Sequence, residues 1–150
     1  MRKRKKIPLI PILLIISAIL LLIGLFNLFT PSSPKKAVEL FYTSEQAGNF
    51  GGAWELFHPL MKERFEKNAY VTERSHIYMS HYGVTTFSFE ILKEKKVRRW
   101  RMAKGAPVFN EARLIKVRQT FKSKFGTFDV MQDVYVVKEK GDWKIVWEYE

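Results

Sequence analysis

Cysteine is absent from this chain, which excludes a disulfide framework, a lipid-modified cysteine and any thiolate metal site. Histidine is nearly absent, with only His58, His76 and His81. Zinc held by imidazoles wants two or three of them on one face, commonly at i, i+4 as in HExxH, and no such pair occurs. His76 and His81 are five apart, about 140° around an α-helix of 3.6 residues per turn, so they are expected to point to different sides. No metal and no cofactor is expected. There is no G-x-S-x-G, no Walker loop and no dinucleotide fingerprint, which removes the commonest hydrolase and nucleotide signatures. Acidic residues are also scarce: 15 against 26 Lys and Arg leave a net charge of +11.

One thing the chain has in excess is an uncharged apolar run, IPLIPILLIISAILLLIGLFNLF over residues 7–29, interrupted only by Ser17 and Asn27. As a helix it would be roughly 35 Å long, enough to cross a hydrocarbon core of about 30 Å. Five cations precede it in 1–6, which by the positive-inside rule makes 1–6 cytoplasmic and carries the rest across a cell membrane. A cleaved signal peptide also starts with a basic segment and an apolar one. Its apolar region is usually only about 7 to 15 residues, however, and its exit carries small residues where this one reads LFNLF. The expectation is a single-pass membrane anchor over 7–29, a linker over 30–34, and an extracytoplasmic domain over 35–150.

Setting aside the five cations in 1–6, 21 Lys and Arg stand against 15 Asp and Glu, so the domain carries +6. Ser33 can cap a helix opened by Pro34, with Ala37, Leu40, Phe41, Ser44 and Ala47 at helical spacing to residue 47. A glycine-bearing turn follows, then a short helix with Trp54 and Phe57, a break at His58-Pro59, a helix over 59–66, and another capped by Thr72 and running to Tyr82. From Thr85 the period changes to alternation. Strands are expected over 85–102, 112–125, 127–138 and 143–149, the last two joined by a Glu139-Lys140-Gly141-Asp142 turn. The class is α+β, with three to four helices on an antiparallel sheet.

Two stretches carry a family resemblance. KKAVELFYTSEQAGNFGGAWELFHPLMKERF resembles the opening helices of the nuclear transport factor 2-like superfamily, and DVYVVKEKGDWKIVWEY resembles its final hairpin. The resemblance implies a cone-like domain with helices packed on a curved sheet. It says little about activity, because the superfamily includes isomerases, dehydratases and non-catalytic modules, among them membrane-anchored bacterial members.

Isomerase-type chemistry in such a cone needs an inward carboxylate and a hydrogen-bond donor. The sheet's carboxylates are Glu90, Glu94, Asp129, Asp133 and Glu148, with Tyr42 or Tyr78 as donors, and they form no convergent set; no catalytic residue is assigned. Phe41, Tyr42, Trp54, Phe57, Tyr78, Trp143 and Trp147 are pocket-lining candidates, against core packing as the ordinary role of such rings. Arg99, Arg101, Lys116, Arg118, Lys122 and Lys124 are polyanion-binding candidates, since the last four alternate along one strand face without a carboxylate among them. A solvated face that blocks edge pairing is the ordinary role here. The expected function is a non-catalytic binding or scaffolding module, engaging an anionic envelope component or a partner protein and not nucleic acid. The alternatives are a small-molecule pocket protein and an isomerase-like or dehydratase-like enzyme.

Overall fold

The computed structural model describes residues 9–29, 31 and 33–149. Contacts divide the chain into two compact units, Met1–Thr30 and Pro31–Glu150. In the first, α1 runs over Leu9–Phe29. Among the described residues no helix is long and apolar enough to cross a membrane. This corrects the expectation of a membrane span over 7–29, and with it the single-pass anchor and the extracytoplasmic placement that depended on it. The basic segment 1–6 lies outside the described residues.

The second unit is α+β, with four helices and a π turn leading into a four-stranded antiparallel sheet of order β1-β2-β3-β4. The helices are α2 (Pro34–Gln46), α3 (Phe50–Glu55), α4 (Pro59–Arg64) and α5 (Lys67–His76), and the π turn is Ile77–His81. The strands are β1 (Ser88–Trp100), β2 (Phe109–Ser123), β3 (Gly126–Glu139) and β4 (Asp142–Val146). Each early helix starts on a side-chain cap. Ser33 Oγ accepts from the Lys36 N–H at 3.1 Å, Asn49 Oδ1 from Gly52 at 2.9 Å, and His58 Nδ1 from Leu60 at 3.2 Å. Pro34 and Pro59 open α2 and α4, where a missing N–H costs nothing. Thr72, expected as a cap, lies inside α5.

α2 buries Ala37, Val38, Phe41, Tyr42 and Glu45. This stripe is turned slightly from the expected one, leaving Leu40 and Ser44 half-buried and Ala47 exposed. It lies on the sheet face formed by Phe87, Phe89 and Ile91 of the β1 side, Ile115, Val117, Gln119 and Phe121 of β2, and Val134 and Val136 of β3. The connector 56–58 closes the outer edge of β4: the Ile145 N–H donates to Leu56 O at 2.9 Å and the His58 N–H to Ile145 O at 3.0 Å. β1 is bulged between Ile91 and Lys93. At Arg99, φ is 51°, and pairing passes directly from Arg98↔Glu111 to Trp100↔Phe109. β2 ends at Ser123, short of the expected residue 125, and Phe125 sits in the β2–β3 turn, 87% exposed. β4 ends at Val146, so Trp147 and Tyr149 lie beyond the strand expected to hold them.

Candidate functional site

Among the described residues, the one fully buried carboxylate is on a helix. Glu45 follows Phe41 by one turn, which places it within the apolar stripe of α2, and it is fully buried. α5 and the π turn bring its partners. Arg74 donates from Nε at 2.8 Å and from Nη2 at 2.6 Å. Tyr70 Oη donates at 2.5 Å and Tyr78 Oη at 3.0 Å. Arg74 Nη2 also donates to Tyr78 Oη at 2.7 Å. Burial acts to lower the Arg74 pKa, but the charge and hydrogen bonds of Glu45 outweigh it, and the net shift is upward. Burial first, then the Glu45 charge, pushes the Tyr70 and Tyr78 hydroxyls up, so both stay protonated donors. Beside this group Tyr42 Oη donates to Gln132 Oε1 at 2.8 Å, and Gln119 Nε2 donates to the same oxygen at 3.1 Å. Both oxygens of this carboxylate are taken up by a guanidinium and two phenols, and no described cleft is lined by it.

The carboxylates considered from the sequence are elsewhere. Asp129 is exposed and accepts from Thr120 Oγ1 at 2.6 Å. Asp133 pairs with Lys116 and Glu90 with Arg118. Glu94 stands 4.0 Å from Arg113, and Glu148 accepts from Tyr135 Oη at 3.1 Å.

The aromatic candidates separate into two groups. Phe41, Tyr42, Phe57 and Tyr78 are buried core. Phe41 meets Phe57 at 5.3 Å and Trp147 at 5.8 Å, and Phe57 meets Trp147 at 4.9 Å. Trp54 donates to Phe65 O at 2.7 Å with Lys62 Nζ 4.3 Å from its ring, and Trp143 lies 5.0 Å beneath Lys138 Nζ on the final hairpin. Trp147 reaches an open cleft, of about 890 Å³, bounded by Arg101, Met102, Met131, Asp133 and Glu148.

The basic stripe is not free of carboxylates once the strands are paired. Glu90 and Asp133 neutralise Arg118 and Lys116 from the neighbouring strands. Lys122 and Lys124 are exposed and make no ion pair among the described residues. Arg99 and Arg101 do not extend the stripe, because the positive φ at Arg99 turns the chain and sends Trp100 inward onto Tyr135, ring centroids 3.9 Å apart.

His76 and His81 are not on different sides. Their rings are 4.9 Å apart, because the segment between them is a π turn closed by Tyr82 N–H to Ile77 O at 3.0 Å. Closure at i→i+5 brings residues five apart onto one face. Among the described residues, no group of three or more His, Cys, Asp or Glu is placed to hold a metal ion. His58 is the buried imidazole: Nδ1 caps α4, and Nε2 lies 3.3 Å from Glu139 Oε2. Burial lowers its pKa, opposed by Glu139. No protein-family model matches the chain, and no curated protein matches it either.

Proposed function

We propose that the chain is a non-catalytic binding or scaffolding module, a nuclear transport factor 2-like domain that works through its surface. The observation that carries this reading is the filled interior: Phe41, Tyr42, Phe57, Tyr78, Phe87 and Phe121 occupy the space between helices and sheet. The interior carboxylate is already consumed by Arg74 and two tyrosines. Enzymes and carriers place polar groups around an open apolar pocket, and this interior offers no such space. The test is thermal unfolding of the full chain with a panel of apolar probes, including steroid-like and fatty-acid-like ones. No saturable shift is expected. A ligand at one hundred times its Kd would contribute about 2.7 kcal/mol, a rise of roughly 10 °C for a domain of this size, and such a rise would establish the small-molecule pocket reading instead.

A second observation favours an acidic protein as partner. Lys93, Lys95, Arg98, Arg99, Arg101 and Lys104 are exposed and make no ion pair among the described residues. They gather on β1 and the loop after it. Replacing Lys93, Lys95 and Arg98 by Ser is expected to weaken salt-sensitive binding of an acidic polypeptide, whereas replacing the already paired Lys116 and Arg118 is expected to do so much less.

A further inference from the structure

The sheet protects its edges unequally. β1 is bulged, carries Lys93, Lys95, Lys96 and Arg98, and turns aside at Arg99. Charge, bulges and irregularity are the usual obstacles to edge pairing. The outer edge of β4 is covered by 56–58. β3 is different, because β4 pairs only with Tyr135–Glu139 and then leaves the sheet, Tyr149 N–H donating to Met102 O at 2.8 Å. Residues 126–134 are thus paired with β2 on one side and with no strand on the other among the described residues. This half-edge has an unbroken register and holds no Lys, Arg or Pro. Its apolar side chains are open: Met131 is 51% exposed and Phe128 37%.

We propose, building on the reading of the chain as a binding module, that this half-edge pairs with its own copy to give a two-fold dimer with a continuous eight-stranded sheet. An antiparallel self-pairing about an axis perpendicular to the sheet keeps each face on its own side, so the axis passes through a single residue position. Charge selects which one. Centred on residue 129, Asp129 faces itself; centred on residue 131, Asp129 faces Asp133; like charges directly opposite destabilise a strand pair. Centred on Val130, Asp129 faces Met131 and Asp133 faces Thr127. That register also uses the whole of 126–134 and stops where β4 begins. The partner's Gly126 then lies opposite Val134, and its turn residues Lys124 and Phe125 arrive at the cleft beside Met131, Trp147 and Glu148. The most exposed aromatic side chain of the domain gains apolar cover there, and Lys124 comes close to Glu148.

A chain without cysteine makes the register directly testable. Single variants Val130→Cys and Thr127→Cys of the full-length protein are oxidised and the disulfide-linked dimer is quantified. At position 130 the two Cα atoms face each other within the roughly 4.4 to 6.8 Å a disulfide spans. At position 127 they stand about 20 Å apart along the strands. At least a roughly tenfold higher yield for Val130→Cys is expected, since only that pair meets the geometric limit. Met131→Asp, which sets a carboxylate opposite Asp129, is expected to lower the dimer fraction seen by light scattering, and Met131→Lys to preserve or raise it. Both replace a half-exposed side chain, so the fold is not at risk. Equal cross-linking of the two cysteine variants, a monomer at every concentration, or indifference to Met131→Asp would each overturn the proposal. None of these results touches the filled-interior reading, which the thermal probes test separately.

Discussion

Glu45→Ala removes a fully buried carboxylate and leaves the groups it held. Arg74 keeps its charge with only 18% of its side chain exposed, and the Tyr70 and Tyr78 hydroxyls lose their acceptor. Breaking a buried ion pair from one side costs about 3 to 5 kcal/mol, because the remaining charge is uncompensated. With a urea m-value of about 1.5 kcal/mol/M, that loss moves the unfolding midpoint down by roughly 2 to 3.5 M. The charge and the packing separate in a double-mutant cycle. Arg74→Met alone strands the carboxylate at similar cost, but Glu45→Leu with Arg74→Met removes both charges and fills the space. Replacing a whole buried pair by apolar side chains is often close to neutral, so the double variant is expected to be more stable than either single one. Additive losses in the cycle, or a Glu45→Ala cost under about 1 kcal/mol, would refute the view that this group is one coupled unit holding α2 to α5.

Three further outcomes follow from the geometry. Stability is expected to fall as pH drops below about 6.5: burial depresses the His58 pKa, so the unfolded chain takes up the proton first and the folded imidazole, whose Nδ1 must accept from Leu60, resists it. His58→Gln should flatten that decline in urea midpoints measured between pH 7 and pH 5, and an unchanged slope would assign it to other groups. Trp147→Ala is expected to cost about 3 to 5 kcal/mol, because its ring meets Phe41, Phe57, Phe65 and Tyr70, while Trp143→Ala, whose ring lies under Lys138 on the final hairpin, should cost distinctly less; the reverse order in denaturant unfolding would misplace the core. Lys140 has φ of 52° before Gly141 at 95°, the two left-handed positions of a type I′ hairpin turn, so Lys140→Asn should raise stability by up to about 1 kcal/mol, read as a small rise in melting temperature.

What the sequence made legible was whatever is decided within a few residues. The Ser33-Pro34 start of α2 and the His58-Pro59 break are local cap and proline effects. The turn at Lys140-Gly141 and the alternation through Ile115, Val117 and Phe121 are equally local, and they placed β2, β3 and β4 with only their ends displaced. The apolar run over 7–29 was legible as a helix, since α1 forms over Leu9–Phe29, but not as a span among the described residues. The interior site was not legible, because Glu45 meets Arg74 across 29 positions and the carboxylates weighed for an inward role were all on strands. A glutamate one turn after Phe41 was the available signal, hidden by setting the stripe through Leu40 and Ala47. The basic stripe failed for a related reason. Lys116 and Arg118 share a face with no carboxylate on their own strand, yet β-sheet charge is balanced across strands, and only the register brings Asp133 and Glu90 beside them. The two histidines show a third limit. Their 140° separation assumed α-helical winding, and the π turn between them cancels it. Arg99 does the same to a strand: one left-handed residue reverses the alternation after Val97, so Trp100 turns inward and Arg101 falls at the cleft. Periodicity propagates a phase only while the backbone keeps one geometry. The residues after a local departure from it are therefore the ones whose placement must come from the structure, and both the cleft at Arg101 and the free edge beside Trp147 lie at such departures.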